Sequence, residues 1–407
     1  MNNFAFFDVV DEFICVENKN FHDVVVIACQ HLLGTQLEMF FRLEEKGLKK
    51  ENLYIIGKAY STNQVVFDTL LENKFNVRPG SYNFEKCDSY DSTFQGEIWN
   101  LLDSIESSNP LDTKSIIIVD DWGALITEIY KRWRDKKYRI CGFIEQTSSW
   151  YHKVAALESW FVNRHFRNIA RSKEKLLYES PHIAWHFVER MMKKVTQYDI
   201  AHPMPLIVWL GPIGHSIKLI LQHMFSIPVV WYDIKNTTRS KNYSDEISFI
   251  EYLGEEVKKF NIIIEATWRT ILSIEQLSQL WDTVMLMSVW SSDRWFSWHA
   301  IRMASEIEWS IHSDWVHKNV CLCNSWFPLT FYGNYNEVEP EIMQYTVGMI
   351  YASILCATKK EYREPYLPIT LLDRMKQELA MSLKLLHQKN VAYQNFMCMY
   401  EDLIIKQ

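Results

Sequence analysis

PLIVWLGPIGHSIKLILQHMFSIPVVWYD occupies residues 205–233 and contains two apolar runs on either side of a helical segment. The first run leads into a turn that holds Gly211 and Gly214, after which apolar residues recur with helical spacing. The pattern predicts a strand, a tight turn, a helix and a second strand. Because a connecting helix lets two strands lie parallel in one sheet, this stretch predicts an α/β fold.

The turn in this stretch has part of the pattern that binds a pyrophosphate. Backbone N–H groups at a glycine turn and at the following helix N-terminus can hold an anion. Asp233, at the end of the second strand, can accept hydrogen bonds from a ribose. The pattern G-x-G-x-x-G would place its first glycine at Trp209. Two interpretations stay open: a nucleotide site, or an ordinary βαβ unit whose glycines only form a turn.

Strands and helices alternate over most of the remaining chain. Further strands are predicted at residues 23–30, 52–58, 114–121, 139–147, 260–267 and 283–290. The predicted fold class is therefore α/β, with two doubly wound Rossmann-like lobes, a helical connector and a helical C-terminus. We expect a first lobe with its connector at 1–195, a second lobe at 196–340, and a helical segment at 341–407 that packs back on the first lobe.

The composition is that of a globular protein and does not favour a nucleic-acid or membrane partner. The 407 residues are 48% hydrophobic and 23% charged, and the net charge is −7 without a dense basic block. Glycines, histidines and a lysine interrupt the longest apolar stretch, so no membrane span is predicted. The N-terminus has no basic segment of the kind that begins a secretory signal, and we expect a cytoplasmic protein.

Cysteine and tryptophan each allow a simple interpretation. The eight cysteines are expected to be reduced thiols, and since only Cys321 and Cys323 are closely spaced, no metal site is predicted. Core packing is the favoured role of a tryptophan cluster, and stacking on a base is the alternative. The cluster consists of Trp281, Trp290, Trp295, Trp298, Trp309, Trp315 and Trp326.

Five short motifs occur in an order that resembles one enzyme family. They are ACQHLLGTQLEM, YSTNQ, IVDDWG, GFIEQTSSW and the glycine turn described above. These motifs resemble the A-C-L-H-M-T, S-T-Q-D, L-D-D-G-G, E-E-T-T-T-G and G-Y-G-D-V-G-K-G segments of the S-adenosylhomocysteine hydrolase (adenosylhomocysteinase) family. The resemblance extends along nearly the whole chain.

The resemblance implies a chemistry and a cofactor. In that family a tightly held NAD oxidises the ribose 3′-hydroxyl, which acidifies the C4′ proton so that a base can remove it. The thiol is then eliminated, water adds, and the ketone is reduced back. The implied ligand is an adenosyl thioether or a related nucleoside.

The resemblance also assigns candidate residues. The catalytic candidates are His31, Asp121 and Arg171, and the substrate-binding candidates are Thr62, Gln146 and Lys175. The cofactor-binding candidates are Thr147, Ser148, Ser149, Gly211, Ile213, Gly214, Asp233, Thr267 and Ser288. For His31 and Asp121 there is a simpler alternative, which is that each caps a helix.

Several family residues are replaced in this chain. Gln146 stands for a glutamate, Arg171 for a lysine and Lys175 for an aspartate. Arginine stays protonated, so it can donate hydrogen bonds but cannot act as a base. The family's two histidines in N-I-G-H-F-D and G-H-P-S-F fall at Ser291 and Phe327. The C-terminal tail that reaches a neighbouring subunit has no match in YEDLIIKQ, so a homo-oligomer stays an open question.

Two functions are compatible with this pattern. The first is a divergent adenosylhomocysteinase-like hydrolase that binds NAD and a nucleoside-like ligand and carries out an altered ribose oxidation. The second is a non-catalytic nucleotide-binding or regulatory protein on the same scaffold, because folds host many functions. We favour the enzyme, since His31, Asp121 and the hydroxyl run at 147–149 are retained.

Overall fold

The computed structural model describes most of the chain as two compact units. The described residues are 5–16, 18–82, 89–147, 166–170, 172–208, 211–232, 258–266, 284–289, 310–317, 320–359 and 367–405. The first unit comprises Met1–Tyr82, Thr93–Glu179 and Gly333–Lys389. The second comprises Asn83–Ser92, Ser180–Tyr332 and Asn390–Gln407.

The first unit contains a six-stranded parallel sheet. Its strands are β1 (Val24–Cys29), β2 (Leu53–Ile56), β3 (Asn76–Arg78), β4 (Ser115–Asp120), β5 (Arg139–Glu145) and β6 (Phe166–Asn168). They lie in the order β3-β2-β1-β4-β5-β6, and each neighbouring pair is parallel. All residues of β1, β2 and β4 are buried, as expected for strands covered on both faces.

Helices from both ends of the chain pack in the first unit. They are α1 (Ala5–Phe13), α2 (Gly34–Glu45), α3 (Gln64–Glu72), α4 (Tyr90–Ser108), α5 (Ala124–Trp133), α8 (Pro340–Ala357) and α9 (Ile369–Lys389). Helix α8 is buried along most of its length and contacts α1, α2, α9 and the sheet. At its Gly348 an added Cβ would lie 3.1 Å from Phe6 of α1 and 3.2 Å from Met375 of α9, so the missing side chain permits this close packing.

The second unit contains another mostly parallel sheet. Its strands are β7 (Pro205–Val208), β8 (Val230–Tyr232), β9 (Ile262–Glu265), β10 (Val284–Ser288), β11 (Trp315–His317) and β12 (Val320–Leu322). The order is β11-β12-β10-β9-β7-β8, and the β11–β12 pair is antiparallel. The described helices of this unit are α6 (Ser180–Gln197), α7 (Pro212–Met224) and α10 (Val391–Tyr400), and α7 contacts both others.

The predicted fold class is confirmed. Both sheets are mostly parallel, and in each the strand order reverses beside the first strand, as in doubly wound Rossmann-like folds. The predicted strand, turn, helix and strand at 205–233 are present as β7, α7 and β8. In the part of the chain that the structure describes, no helix is long and apolar enough to cross a bilayer.

Candidate functional site

The carboxyl edge of the first sheet carries the candidate site. The strand order reverses between β1 and β4, and open α/β sheets bind ligands at the carboxyl ends of strands at such a point. His31 follows β1, and Asp121 follows β4. The fold therefore places two of the three catalytic candidates at the reversal point.

His31 and Asp121 are in direct contact. His31 Nε2 lies 2.7 Å from Asp121 Oδ2, and His31 Nδ1 lies 2.5 Å from Ser61 Oγ. A carboxylate can only accept hydrogen bonds, so Nε2 carries the proton and donates it to Asp121. In the neutral ring Nδ1 then accepts the hydroxyl proton of Ser61. The basic atom of the histidine is therefore Nδ1.

A buried lysine completes this cluster. Lys58 Nζ donates to Asp121 Oδ2 at 2.7 Å, the same oxygen that accepts from His31. The side chains of Lys58 and Asp121 are each only 1% exposed. Because a buried charge is costly without a partner, the ammonium and the carboxylate stabilise each other in place.

The environment shifts the pKa of all three groups. Burial lowers the pKa of His31, and the nearby Asp121 carboxylate only partly offsets that effect. Burial alone would raise the pKa of Asp121, but His31 and Lys58 hold it well below its ordinary value. For Lys58 the attraction of Asp121 outweighs burial, so its pKa lies above the ordinary value. At neutral pH the cluster therefore contains a charged lysine, a carboxylate and a neutral imidazole.

The loop after β2 positions Lys58 through two close backbone approaches. Gly57 N–H donates to Arg78 O at 2.8 Å, and a Cβ on Gly80 would lie only 2.1 Å from Gly57 O. The Thr62 hydroxyl donates to Lys58 O at 2.8 Å, so this substrate-binding candidate closes the loop that contains Lys58. Neither Lys58 nor Ser61 is a candidate from sequence, because a lysine that follows a strand is ordinarily exposed.

Glu145, the last residue of β5, organises the next loop. Its Oε1 accepts from Trp122 N–H at 3.1 Å, from Thr147 N–H at 2.7 Å and from the Thr147 hydroxyl at 2.6 Å. Trp122 has φ of 118°, a value that is costly for a residue with a side chain, and this hydrogen bond helps to hold it. Burial and the nearby Asp120 raise the pKa of Glu145 well above its ordinary value.

Gln146 and Lys175 are brought together. Gln146 is 6% exposed, and its main-chain oxygen accepts from Lys175 Nζ at 2.7 Å. Lys175 also lies 3.2 Å from Glu179 Oε1, and Glu179 accepts a further hydrogen bond from the Thr346 hydroxyl. Lys175 is close enough to His31 to disfavour a positive charge on it, which lowers the pKa of the ring further. The two replaced family positions thus form a lysine–carbonyl contact beside the histidine.

The second unit has a corresponding feature at the carboxyl end of β7, where its strand order reverses. Gly211 is the N-cap residue of α7, with φ −67° and ψ 179°, and as a glycine it supplies no side-chain capping hydrogen bond. The first backbone bond of the helix runs from His215 N–H to Gly211 O at 2.8 Å. The N–H groups of Ile213 and Gly214 precede it, and helices leave such donors without an internal partner.

A buried carboxylate and a hydroxyl lie at the same edge of the second sheet. Ser288, at the end of β10, donates to Glu265 Oε2 at 2.9 Å, and both residues are buried. Glu265 ends β9, the neighbour of β7, and is a further polar residue that the sequence motifs miss. The segment FNIIIEAT contains the signal, which is an acid at the end of an apolar strand.

Several candidates fall outside the described residues. They are Arg171, Ser148, Ser149, Asp233 and Thr267, together with Trp209 and most of the tryptophan cluster. Of that cluster, Trp315 and Trp326 are described, and both are buried. Within the first unit the structure brings together His31, Asp121 and Thr62 on one side and Gln146, Lys175 and Thr147 on the other.

Comparisons with known proteins give relatives without an established function. No protein-family model matches the chain. The chain is 29% identical over 357 residues to uncharacterized proteins from two strains of Mycobacterium tuberculosis, covering 86% of this chain and 68% of theirs. The resemblance to adenosylhomocysteinases therefore rests on the short motifs quoted above.

Two solved structures show a distant likeness, and both are of the same dipicolinate synthase polypeptide from two bacilli. The protein from Bacillus halodurans has a TM-score of 0.39 and 11% identity over 82% of this chain and 97% of that one. The protein from Bacillus subtilis has a TM-score of 0.37 and 14% identity over 83% and 97%. At these scores the likeness carries no conclusion about function, and the fold assignment rests on the strand orders described above.

Proposed function

We propose that this protein is a divergent adenosylhomocysteinase-like enzyme that binds NAD and an adenosyl thioether or related nucleoside. The observation that supports it most is the contact of the partly exposed His31 with the buried Asp121, with Nε2 and Oδ2 2.7 Å apart, at the reversal point of the first sheet. A histidine held in one tautomer by a carboxylate is a suitable general base. A histidine that merely caps a helix would not need a buried carboxylate partner.

His31 is the proton-transfer group of the proposal. Its Nδ1 accepts from Ser61 in the structure, and a ligand hydroxyl or C–H that replaces this contact would transfer its proton to the same atom. The lowered pKa keeps the ring neutral and able to accept that proton at physiological pH. Asp121 then stabilises the imidazolium that forms.

Two features of the second unit support a nucleotide site there. The first turn of α7 has no capping side chain from Gly211, so the N–H groups of Ile213 and Gly214 are the donors expected to suit a pyrophosphate, although Pro212 supplies none. The buried Glu265 and Ser288 lie at the same edge. NAD, when bound, supplies the oxidation and re-reduction of the ribose 3′ carbon.

A second candidate function is favoured by one observation. The resembled family has an acid at both positions, whereas here Gln146 is an amide and Lys175 donates to the main-chain oxygen of Gln146 and pairs with Glu179. Loss of those acids is expected of a nucleotide-binding protein without catalysis. The protein would then bind ligand without turnover.

The cofactor is tested first on the purified protein. Freshly purified protein is heat-denatured and the released nucleotide is identified by mass spectrometry. NAD at near-stoichiometric amounts supports the proposal, whereas a protein that releases none and takes up no added NAD contradicts it. S-adenosylhomocysteine is then added: a raised melting temperature with homocysteine release indicates the enzyme, and a raised melting temperature alone indicates the non-catalytic protein.

Two variants test the assigned residues. His31→Ala should lower turnover by about 100-fold or more, as expected for loss of a general acid–base, whereas His22→Ala, at a side chain that is 73% exposed, should leave it unchanged.

Gly211→Asp should preserve folding, because φ −67° suits any residue and Asp caps helices well. Its carboxylate would repel a pyrophosphate, so NAD affinity should fall by about 100-fold. Gly211→Ser is the neutral control.

A further inference from the structure

Lys58 is the one member of the buried cluster to which the proposed mechanism gives no role. It does not bond to His31 itself, but it shares with His31 a single acceptor, Asp121 Oδ2, at 2.7 Å from each donor. The positive charge of Lys58 must weaken the attraction of Asp121 for a protonated histidine. In a histidine–aspartate pair without such a cation, the full negative charge favours the imidazolium.

We propose that Lys58 is a positioning residue for the proposed reaction: it balances the charge of Asp121 and so keeps His31 in the neutral Nε2–H form, which accepts a proton at Nδ1. The inference rests on the proposed function, in which His31 is the base. Lys58 acts through Asp121, because its side chain is 1% exposed and its Nζ donates to Asp121 Oδ2.

The groups around His31 make Lys58 the dominant cation. Asp121 contacts the ring from the loop after β4, and the Ser61 hydroxyl contacts it from the loop after β2. The ring of Tyr60 lies 6.4 Å away in an edge-on arrangement. Lys175 also disfavours a charged His31 and so lowers its pKa, but its ammonium is already bound to Gln146 O and Glu179. Of these two lysines, Lys58 is the one bound to the carboxylate that orients the ring.

Histidine NMR on the purified protein, without added NAD or substrate, tests this inference. The ring signals of His31 are assigned by their loss in His31→Gln and followed between about pH 4 and 9, which covers the ordinary range of a histidine. Lys58→Met should raise the proton affinity of His31 by about tenfold or more, because Asp121 then carries an unbalanced charge. The double variant Lys58→Met with Asp121→Asn should lose that gain. Lys114→Met is the control: Lys114 directly precedes β4 and is bound to Asp23, and its removal should leave the titration of His31 unchanged.

The outcomes distinguish an electrostatic effect of Lys58 on His31 from a purely structural role of Lys58. If Lys58 only stabilised the fold, the single and double variants would both give the titration of an exposed histidine, and this result overturns the proposal. An unchanged His31 titration in folded Lys58→Met overturns it as well. If Lys58→Met does not fold, Asp121→Asn is compared with the double variant, where removal of the lysine must raise the proton affinity of His31. The titration needs neither NAD nor substrate, so failure of cofactor binding would contradict only the proposed function.

Discussion

Lys175 Nζ lies 2.7 Å from the main-chain oxygen of Gln146, and this hydrogen bond joins the turn at Lys175–Glu179 to the loop after β5. Both residues are candidate substrate ligands, but the hydrogen bond between them forms without a ligand. The lysine also pairs with Glu179, whose side chain is 8% exposed. These two contacts indicate that Lys175 contributes to stability.

Lys175→Met should therefore lower the free energy of unfolding. The change leaves the buried Glu179 carboxylate with the Thr346 hydroxyl but without its cation, which costs about 1–3 kcal/mol. Urea unfolding of both proteins measures the difference. Lys49→Met is the control, because the pair it forms with Glu51 is 55% and 76% exposed and should contribute less than about 0.5 kcal/mol. Equal losses in the two variants would contradict a structural role for Lys175.

Gly80 should tolerate no side chain, because its Cα lies against the backbone that precedes Lys58. A Cβ there would approach Gly57 O to 2.1 Å and Lys58 Cα to 3.0 Å, and backbone cannot move aside as a side-chain end can. Gly80→Ala should destabilise the protein by about 1–3 kcal/mol. Gly96→Ala is the matched control: it lies within α4 with no atom within 4 Å of the added Cβ, and it should stabilise the helix by up to about 1 kcal/mol. A Gly80→Ala protein as stable as the wild type would show that the loop before Lys58 is free to shift.

The strands and the His31–Asp121 contact were predictable for the same physical reason. A short run of β-branched and other apolar residues such as β1 favours a buried strand, and the polar residue that follows a strand of a parallel sheet lies at the carboxyl edge of that sheet. Two such residues after the strands on either side of the reversal point are neighbours in space. The sequence positions of His31 and Asp121 therefore predict their contact once the strand order is known.

The burial of Lys58 was not predictable in this way. A lysine after a strand is ordinarily exposed, and its burial here depends on Asp121, which lies 63 residues further along the chain. The same applies to Glu145, which the motif resemblance passes over in favour of Gln146. Glu145 holds the neighbouring loops by accepting three hydrogen bonds. These bonds exist only once the backbone has folded.

Glu145→Gln should stabilise the protein increasingly as pH rises. Burial and Asp120 raise the pKa of this carboxyl, so the folded protein holds a proton that the unfolded chain releases above its ordinary pKa. The stability contributed by Glu145 is thus present at low pH and lost as pH rises. Gln keeps an oxygen for Trp122 and Thr147 and does not titrate. Chemical unfolding at several pH values measures the growing difference.

Glu145→Ala separates this effect from simple loss of contacts. Compared with Glu145→Gln, it lacks the acceptor for Trp122 N–H and Thr147, which should cost about 1–3 kcal/mol at every pH measured, because neither variant titrates at this position. A Gln variant that behaves like the Ala variant would mean that the carboxylate, and not the neutral acid, is the form the fold requires.

The wild-type protein should lose stability more steeply than His31→Gln as pH falls below about 6.5, the ordinary pKa of histidine. Burial lowers the pKa of His31 in the folded state, so between its folded and ordinary values the unfolded chain binds a proton that the folded protein does not. The contribution of the neutral ring is therefore complete above the ordinary pKa and lost as pH falls through this window. Urea unfolding of both proteins between about pH 8 and pH 5 gives the slope of the free energy of unfolding against pH for each. The remaining histidines contribute equally to both proteins and cancel, so identical slopes would show that His31 does not stay neutral in the fold.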